Sequence, residues 1–474
     1  MFATIALGFG GSGHRARRLR PLVTLASVLT LVVAAAPPAR AAAPASHFVL
    51  GNGMEVVVVP DHRVPVVTHE LWFKVGAAED PAEQPGVAHF LEHMMFRGTE
   101  KFPGNSFDRF MVGIVGSLAN ASTSFDYTRY PQSLPKQRLG ELMEREADRM
   151  VNLNLRDEDI KLEIGAVLNE RRGKENGPGY LFSERLNAAQ YPDHPYGRTV
   201  LGSSADINAF NRATTLAFYQ RFYAPNNAIL VVAGDVTESE VRQLAEKTYG
   251  RLPARPVPKR IVHPLPATPR SWRVEMEHER VTQPSIGYSY TLPGVVAASL
   301  ADASALSLLS HITGASVIGR LHRRLVTEKR LAMSVSASYA SGIQSSELVF
   351  TATVRPGVPF ADLERGFAAE IAALARGDIT EAEADDARRT ALAGKAYDDD
   401  DHRQRAANYG LALVQGLTVA DVEASEARLA KVTAADINRL ARRIVGKSKP
   451  VVGVLRPVAP KGAEASAERP VIVK

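Results

Sequence analysis

The residues best suited to chemistry stand close together, as His89-Phe90-Leu91-Glu92-His93. On a helix, positions i, i+3 and i+4 share one face. Two imidazoles at that spacing can reach one ion with Glu92 beside them, the inverse of the H-E-x-x-H zinc helix. In a chain of 474 residues with 12 histidines, chance supplies such a pattern about 0.02 times. Packing explains Phe90, Leu91, Met94 and Met95 as the buried side of that helix. It does not explain two histidines and a glutamate together, although a histidine pair with an acid nearby is the plain alternative. Catalytic zinc keeps three protein ligands and one open position, so a third ligand is needed. Glu163 and Glu170 lie seven residues apart in a helical pattern, two turns along one face. On spacing alone either can bind metal, or both can belong to a solvated acidic face.

The elements that must position these groups follow from periodicity and turn chemistry. Residues 47–60 read as a hairpin, with Phe48 on one arm, Gly51-Asn52-Gly53 at the turn and Met54 opening a valine-rich arm. Residues 66–75 and 118–124 read as strands. Residues 86–96 read as a helix, and so do 136–152, 157–172 and 214–222; 228–233 reads as a buried strand. Residues 251–270 carry Pro253, Pro256, Pro258, Pro264, Pro266 and Pro269. Proline removes donors and breaks periodicity, so this stretch is a linker. Beyond it strands and helices alternate again. The helix, turn and strand over 434–457 resemble those over 214–236, an offset that points to a duplicated domain. The expected class is α+β: two similar domains, each a mostly antiparallel sheet with helices on one face. Their expected bounds are 42–250 and 271–458, joined by the linker and followed by a tail over 459–474.

Composition excludes several function classes. The net charge is +6, with 57 basic and 51 acidic residues. Residues 1–41 hold five arginines (Arg15, Arg17, Arg18, Arg20 and Arg40) and no acid; without them 52 basic residues face 51 acids. The excess charge therefore belongs to a segment that reads as a signal peptide, which removes the case for nucleic-acid binding. That segment has a basic stretch, an apolar run over 22–36 and small residues at Ala39 and Ala41. The run is short for a membrane span, and the alternative is an uncleaved anchor. No stable span is expected after its removal, and the destination is a periplasm or the medium. The chain has no cysteine, which excludes disulfides, thiolate ligands and a cysteine nucleophile. Gly8-Phe9-Gly10-Gly11-Ser12-Gly13 precedes no strand–helix unit that could cradle a phosphate.

The stretch from Gly86 to Thr99, GVAHFLEHMMFRGT, resembles the active-site helix of the pitrilysin-type zinc peptidases. These are the inverzincins, which include insulysin and the mitochondrial processing peptidase. Glu170 stands 77 residues beyond His93, with Glu163 seven before it, a spacing similar to the family's. The resemblance implies one zinc ion on His89, His93 and Glu170, with Glu163 orienting a ligand and Glu92 as general base. The stretch around Asn120 and Ala121 resembles the family's strand beside the zinc, which implies that these two residues hold the substrate backbone. His194 to Gly197 and Asn226 to Asp235 match further landmarks, and the likeness extends over most of residues 47–457. It implies a zinc endopeptidase acting on peptides or unfolded chains, similar to the processing peptidase's beta subunit.

One departure bears on partners. The family supplies an arginine and a tyrosine to substrate and oxyanion, from its second half or a partner chain. Aligned on Glu328, Leu331 and Ala332, those positions fall here on Val326 and Met333, with Arg323, Arg324 and Arg330 nearby. Neither Val326 nor Met333 can donate a hydrogen bond. The expectation is a heterodimer with a similar two-domain subunit that lacks the zinc motif and brings the missing pair. The rival readings are a non-catalytic scaffold subunit and a metal- or peptide-binding subunit without turnover.

Overall fold

The computed structural model describes residues 44–458, apart from 118, 296, 315 and 316. The signal-peptide and tail expectations lie outside the described residues, as does Leu118 of the strand expected over 118–124. Among the described residues no helix is long and apolar enough to cross a membrane.

Two sheets organise the chain. The first contains β1 (Ser46–Val49), β2 (Glu55–Pro60), β3 (Val66–Phe73), β4 (Ser122–Thr123), β5 (Thr128–Pro135) and β6 (Ala228–Gly234). Their order is β1-β2-β6-β3-β5-β4. The second contains β7 (Arg273–His278), β8 (Ser285–Pro293), β9 (Ala332–Ala340), β10 (Ser345–Val354) and β11 (Val451–Pro457), in the order β7-β11-β8-β10-β9. Apart from the added β1, the two orders are one pattern. β2 lies parallel to β6 and β7 parallel to β11, and every other pairing is antiparallel. This is the mixed, mostly antiparallel α+β class expected, with the repeat visible strand for strand.

Each sheet packs helices over one face around its own apolar core. In the first half the core joins Val56, Leu71 and Leu230 of the sheet to Phe90, Leu91, Leu142 and Phe218 of the helices. In the second it joins Ile286, Leu348 and Phe350 to Leu308, Phe367 and Leu440. The opposite faces are covered too, which the expectation of helices on one face did not include. Helix His402–Val414, from the second half, covers Val57, Trp72 and Val231 of the first sheet. A Cβ on Gly410 would fall 2.2 Å from Trp72 Nε1, so only glycine lets the helix come this close. Helix Pro178–Gln190, from the first half, meets β7 and β11 of the second sheet. The halves thus exchange one helix each.

Two local features place the site. Helix Val87–Met94 starts at Gly86, whose φ of 92° favours glycine. The buried Asp80 carboxylate accepts from Gly86 N at 2.6 Å and Ala88 N at 3.0 Å, satisfying donors that a helix start leaves free. The strand expected over 118–124 shrinks to Ser122–Thr123. Asn120 Oδ1 accepts from Ala121 N at 2.9 Å, and Ser124 Oγ accepts from Asp126 N and Tyr127 N. Side chains that capture backbone donors in this way end the ladder on both sides.

Candidate metal and peptidase site

Helix Val87–Met94 packs against helix Asp157–Glu175 and against β4. His89, Glu92 and His93 sit in the junction. His93 Nε2 lies 3.3 Å from Glu170 Oε2, and His89 Nε2 lies 3.5 Å from the same oxygen. One ligand atom from each of the three residues falls within 4.8 Å of the others. Of the two glutamates that spacing left open, Glu170 is the one that converges on both histidines. Glu163 sits instead behind His93, its Oε2 3.0 Å from His93 Nδ1, and it also pairs with Arg97. The contact with Glu163 at Nδ1 fixes the ring so that Nε2 faces Glu170. His89 differs, because its Nδ1 is buried without a protein partner.

The electrostatics suit a cation. Burial pushes His89 down to about 4, with His93 adding to the effect, so the imidazole is neutral at ordinary pH and its lone pair is free. The hydrogen bond from His93, helped by His89 and Lys174, holds Glu170 down to about 2 against the opposing effect of burial. Lys174 Nζ lies 3.0 Å from Glu170 Oε1. Two imidazoles and one ionised carboxylate converging on a point are a donor set that fits Zn²⁺.

Glu92 is 8% exposed. Its Oε2 accepts from Thr123 Oγ1 at 2.5 Å. Burial pushes its carboxyl up, against that hydrogen bond. A cavity of about 390 Å³ opens over His89, Glu92, His93 and Glu170 and is walled by Thr123 and Tyr180. A second cavity of about 380 Å³ lies on the other side of His93, lined by Arg97, Asn120 and Glu163. Ala121 borders both. Asn120 is exposed, and its side chain is turned onto its own backbone, while its carbonyl accepts from Gln132 Nε2 at 3.1 Å.

Val326 and Met333 lie elsewhere. Val326 is in the π-helix His322–Glu328, packed against the second core. Met333 is 51% exposed, near the start of β9. Neither lines the cavity over His89, nor do Arg323, Arg324 and Arg330. Sequence reasoning missed Thr123, Arg97 and Asp80. Arg97 stands just past the end of that helix and reaches Glu163 from there. Thr123 and Asp80 carry no signal in the sequence, since only the fold brings them to the helix.

Sheet order and the histidine–glutamate junction together define a duplicated α+β chain with a candidate metal site. More particularly, it belongs to peptidase family M16. Residues 55–204 match the family described as Insulinase (Peptidase family M16), and residues 209–391 match the Peptidase M16 inactive domain. The zinc protease PqqE of Helicobacter pylori is 32% identical over 376 residues, covering 77% of this chain and 83% of that protein. An uncharacterized zinc protease of Mycobacterium bovis is 27% identical, covering 87% of this chain and 93% of its own length. Among solved structures, a protease from Helicobacter pylori superposes with a TM-score of 0.79 at 26% identity, covering 87% of this chain and 99% of that one. The periplasmic protease PqqL of Escherichia coli shares the fold at 21% identity with a TM-score of 0.75; the match covers 89% of this chain but 48% of PqqL.

Proposed function

We propose that this chain is the zinc-bearing subunit of an endopeptidase that hydrolyses peptides or unfolded chains. The convergence of His89, His93 and Glu170 beside the buried Glu92 carries this reading. In it His89, His93 and Glu170 hold one Zn²⁺, and Glu163 fixes the His93 ring through Nδ1. Bound zinc supplies a Lewis acid and a water acidified toward neutral pH. Glu92 accepts a proton at its carboxylate from the attacking water and returns it to the departing amine. The peptide lies extended along Asn120 and Ala121. The position of β4 at the edge of its sheet supports strand addition, which grips backbone rather than sequence.

The reading extends to a partner: a similar two-domain chain without the zinc motif, bringing an arginine and a tyrosine to the oxyanion. Two observations support it. Val326 and Met333 lack donors and stand away from the cavity. The fold of PqqL continues for about as long again as the part matched here. The domains run over 42–250 and 271–458, joined by the linker 251–270 and ending in the tail 459–474. Residues 1–41 direct export to the periplasm, a reading supported by the basic-then-apolar pattern and by the periplasmic relative.

The test is hydrolysis of an unstructured, internally quenched peptide by the purified mature chain. It is run with added zinc, with chelator, and with or without a similar subunit from the same organism. Zinc-dependent cleavage that the partner raises by roughly 10²–10³ is expected, the worth of an oxyanion donor. Stoichiometric zinc with no cleavage under any arm would favour the scaffold or binding-subunit reading. Full activity of the chain alone would remove the heterodimer.

A further inference from the structure

We propose that Thr123 is a positioning residue for Glu92, tying the carboxylate to the strand edge so that base and edge are placed together. This rests on Glu92 acting as the base. Thr123 is one of only two residues in β4, and it pairs across to Thr128 of β5. Strand alternation sends Ser122 and Thr123 to opposite faces. Ser122 Oγ accepts from Arg129 Nε at 3.1 Å, while Thr123 turns inward to donate to Glu92 Oε2 at 2.5 Å. Among the described residues no protein group bonds to the other carboxylate oxygen.

Three features make this more than a passing contact. Glu92 is 8% exposed, and Thr123 is the one protein donor to its carboxylate among the described residues, so that donor biases where the carboxylate points. Threonine is stiff about χ1 because it is branched at Cβ, so its hydroxyl direction is set by the backbone of β4. That backbone is braced in turn: Thr128 Oγ1 donates to Val75 O at 3.1 Å and stands 3.5 Å from Thr123 Oγ1. Behind it Tyr130 and Tyr223 share a buried hydrogen bond of 2.9 Å. A displacement of the edge strand would therefore move the donor that orients Glu92.

The experiment compares Thr123→Val, which keeps the shape and removes the donor, with Thr123→Ser, which keeps the donor. Zinc content, kcat and KM are measured on an internally quenched flexible nonapeptide. Metal-free crystal structures of both variants and the parent give a readout that needs no turnover. The expectation is unchanged zinc and KM, kcat lowered about tenfold in Thr123→Val, and near recovery in Thr123→Ser. In the crystal, Glu92 leaves its rotamer only in Thr123→Val. Parental kcat in Thr123→Val, an unmoved Glu92 in that variant, or equal loss in both variants would overturn the proposal. If the parent cleaves nothing even with the partner subunit, the peptidase reading fails, and the Glu92 rotamers alone still decide whether Thr123 holds the carboxylate.

Discussion

Helix Val87–Met94 and helix Leu300–Gly314 occupy the same place in two sheets of the same strand order, between the second and third strands of the repeat. What surrounds them is opposite in character. In the second half the edge strand β9 is nine residues long and pairs along β10. The helix lies directly on it, so that a Cβ on Gly314 would fall 2.8 Å from Ala337 N. Leu306, Leu308, Leu309 and Ile312 fill the junction. In the first half the edge strand β4 has two residues, and both line the cavity over His89 and Glu92. The acids differ as well. Glu383, on the helix Glu381–Asp398 that follows the fourth strand's first helix, is held by Arg320 at 2.7 Å, and Arg320 also reaches Asp378 at 2.5 Å. Glu170, on the counterpart helix Asp157–Glu175, faces two imidazoles instead. One half pairs its acid with an arginine, and the other turns its acid toward two histidines. A duplicated fold can therefore keep one copy for stability while the other gives up edge pairing and apolar filling to make room for chemistry.

The contrast can be broken most directly at the histidines. His93→Ala removes one lone pair of three, and stoichiometric zinc, measured by metal analysis after dialysis, should be lost. Full retention would place the ion elsewhere. Next in size is Glu92→Gln. It should keep zinc and the thermal transition while turnover falls by roughly 10² or more; near-parental turnover would remove Glu92 from the chemistry.

A smaller effect is expected behind the first row of ligands. Glu163→Gln should keep the fold and weaken zinc affinity by roughly 10–100-fold in a chelator competition, because His93 Nδ1 loses its anionic partner. The smallest change sharpens the other side of the comparison. Arg320→Met should destabilise the chain by about 1–3 kcal/mol in urea and leave zinc affinity unchanged, since its acids belong to the half without His89 and His93. A loss of zinc binding in that variant would show that the halves are coupled through more than packing.

Acid should separate the halves as well. Burial pushes His69 down to about 3, and the ring meets Tyr249 OH at 2.9 Å inside the first core. The unfolded chain binds this proton below about 6.5 while the folded chain does not, so stability falls as pH drops from about 6.5 toward 3. His69→Gln should flatten that part of the metal-free pH–stability curve measured by urea titration. An unchanged slope would place the acid-labile group elsewhere.

The chemistry-bearing helix, the hairpin over 47–60, the buried strand β6 and the repeated helix–strand ending were all legible from residue order. Each depends on local rules: two histidines at i and i+4, glycine at a turn, a run of β-branched residues, a helix followed by an apolar stretch. The tie between Glu163 and Glu170 was not resolved by spacing, because one helix face presents both. It took the packing of helix Asp157–Glu175 against helix Val87–Met94 to set Glu170 beside both Nε2 atoms and Glu163 behind His93. The short β4 was likewise invisible, since residues 118–124 have strand composition and only the hydrogen bonds of Asn120 and Ser124 cut the ladder. Thr123 on Glu92, Asp80 at the helix start and the exchanged helices belong to the same group. Sequence by itself determined which groups share a helix face, because that depends on a fixed number of residues per turn. Which groups meet across elements was decided only by tertiary packing, where the partner lies 31 residues away for Glu92 and 70 for His93, and no local periodicity reaches that far.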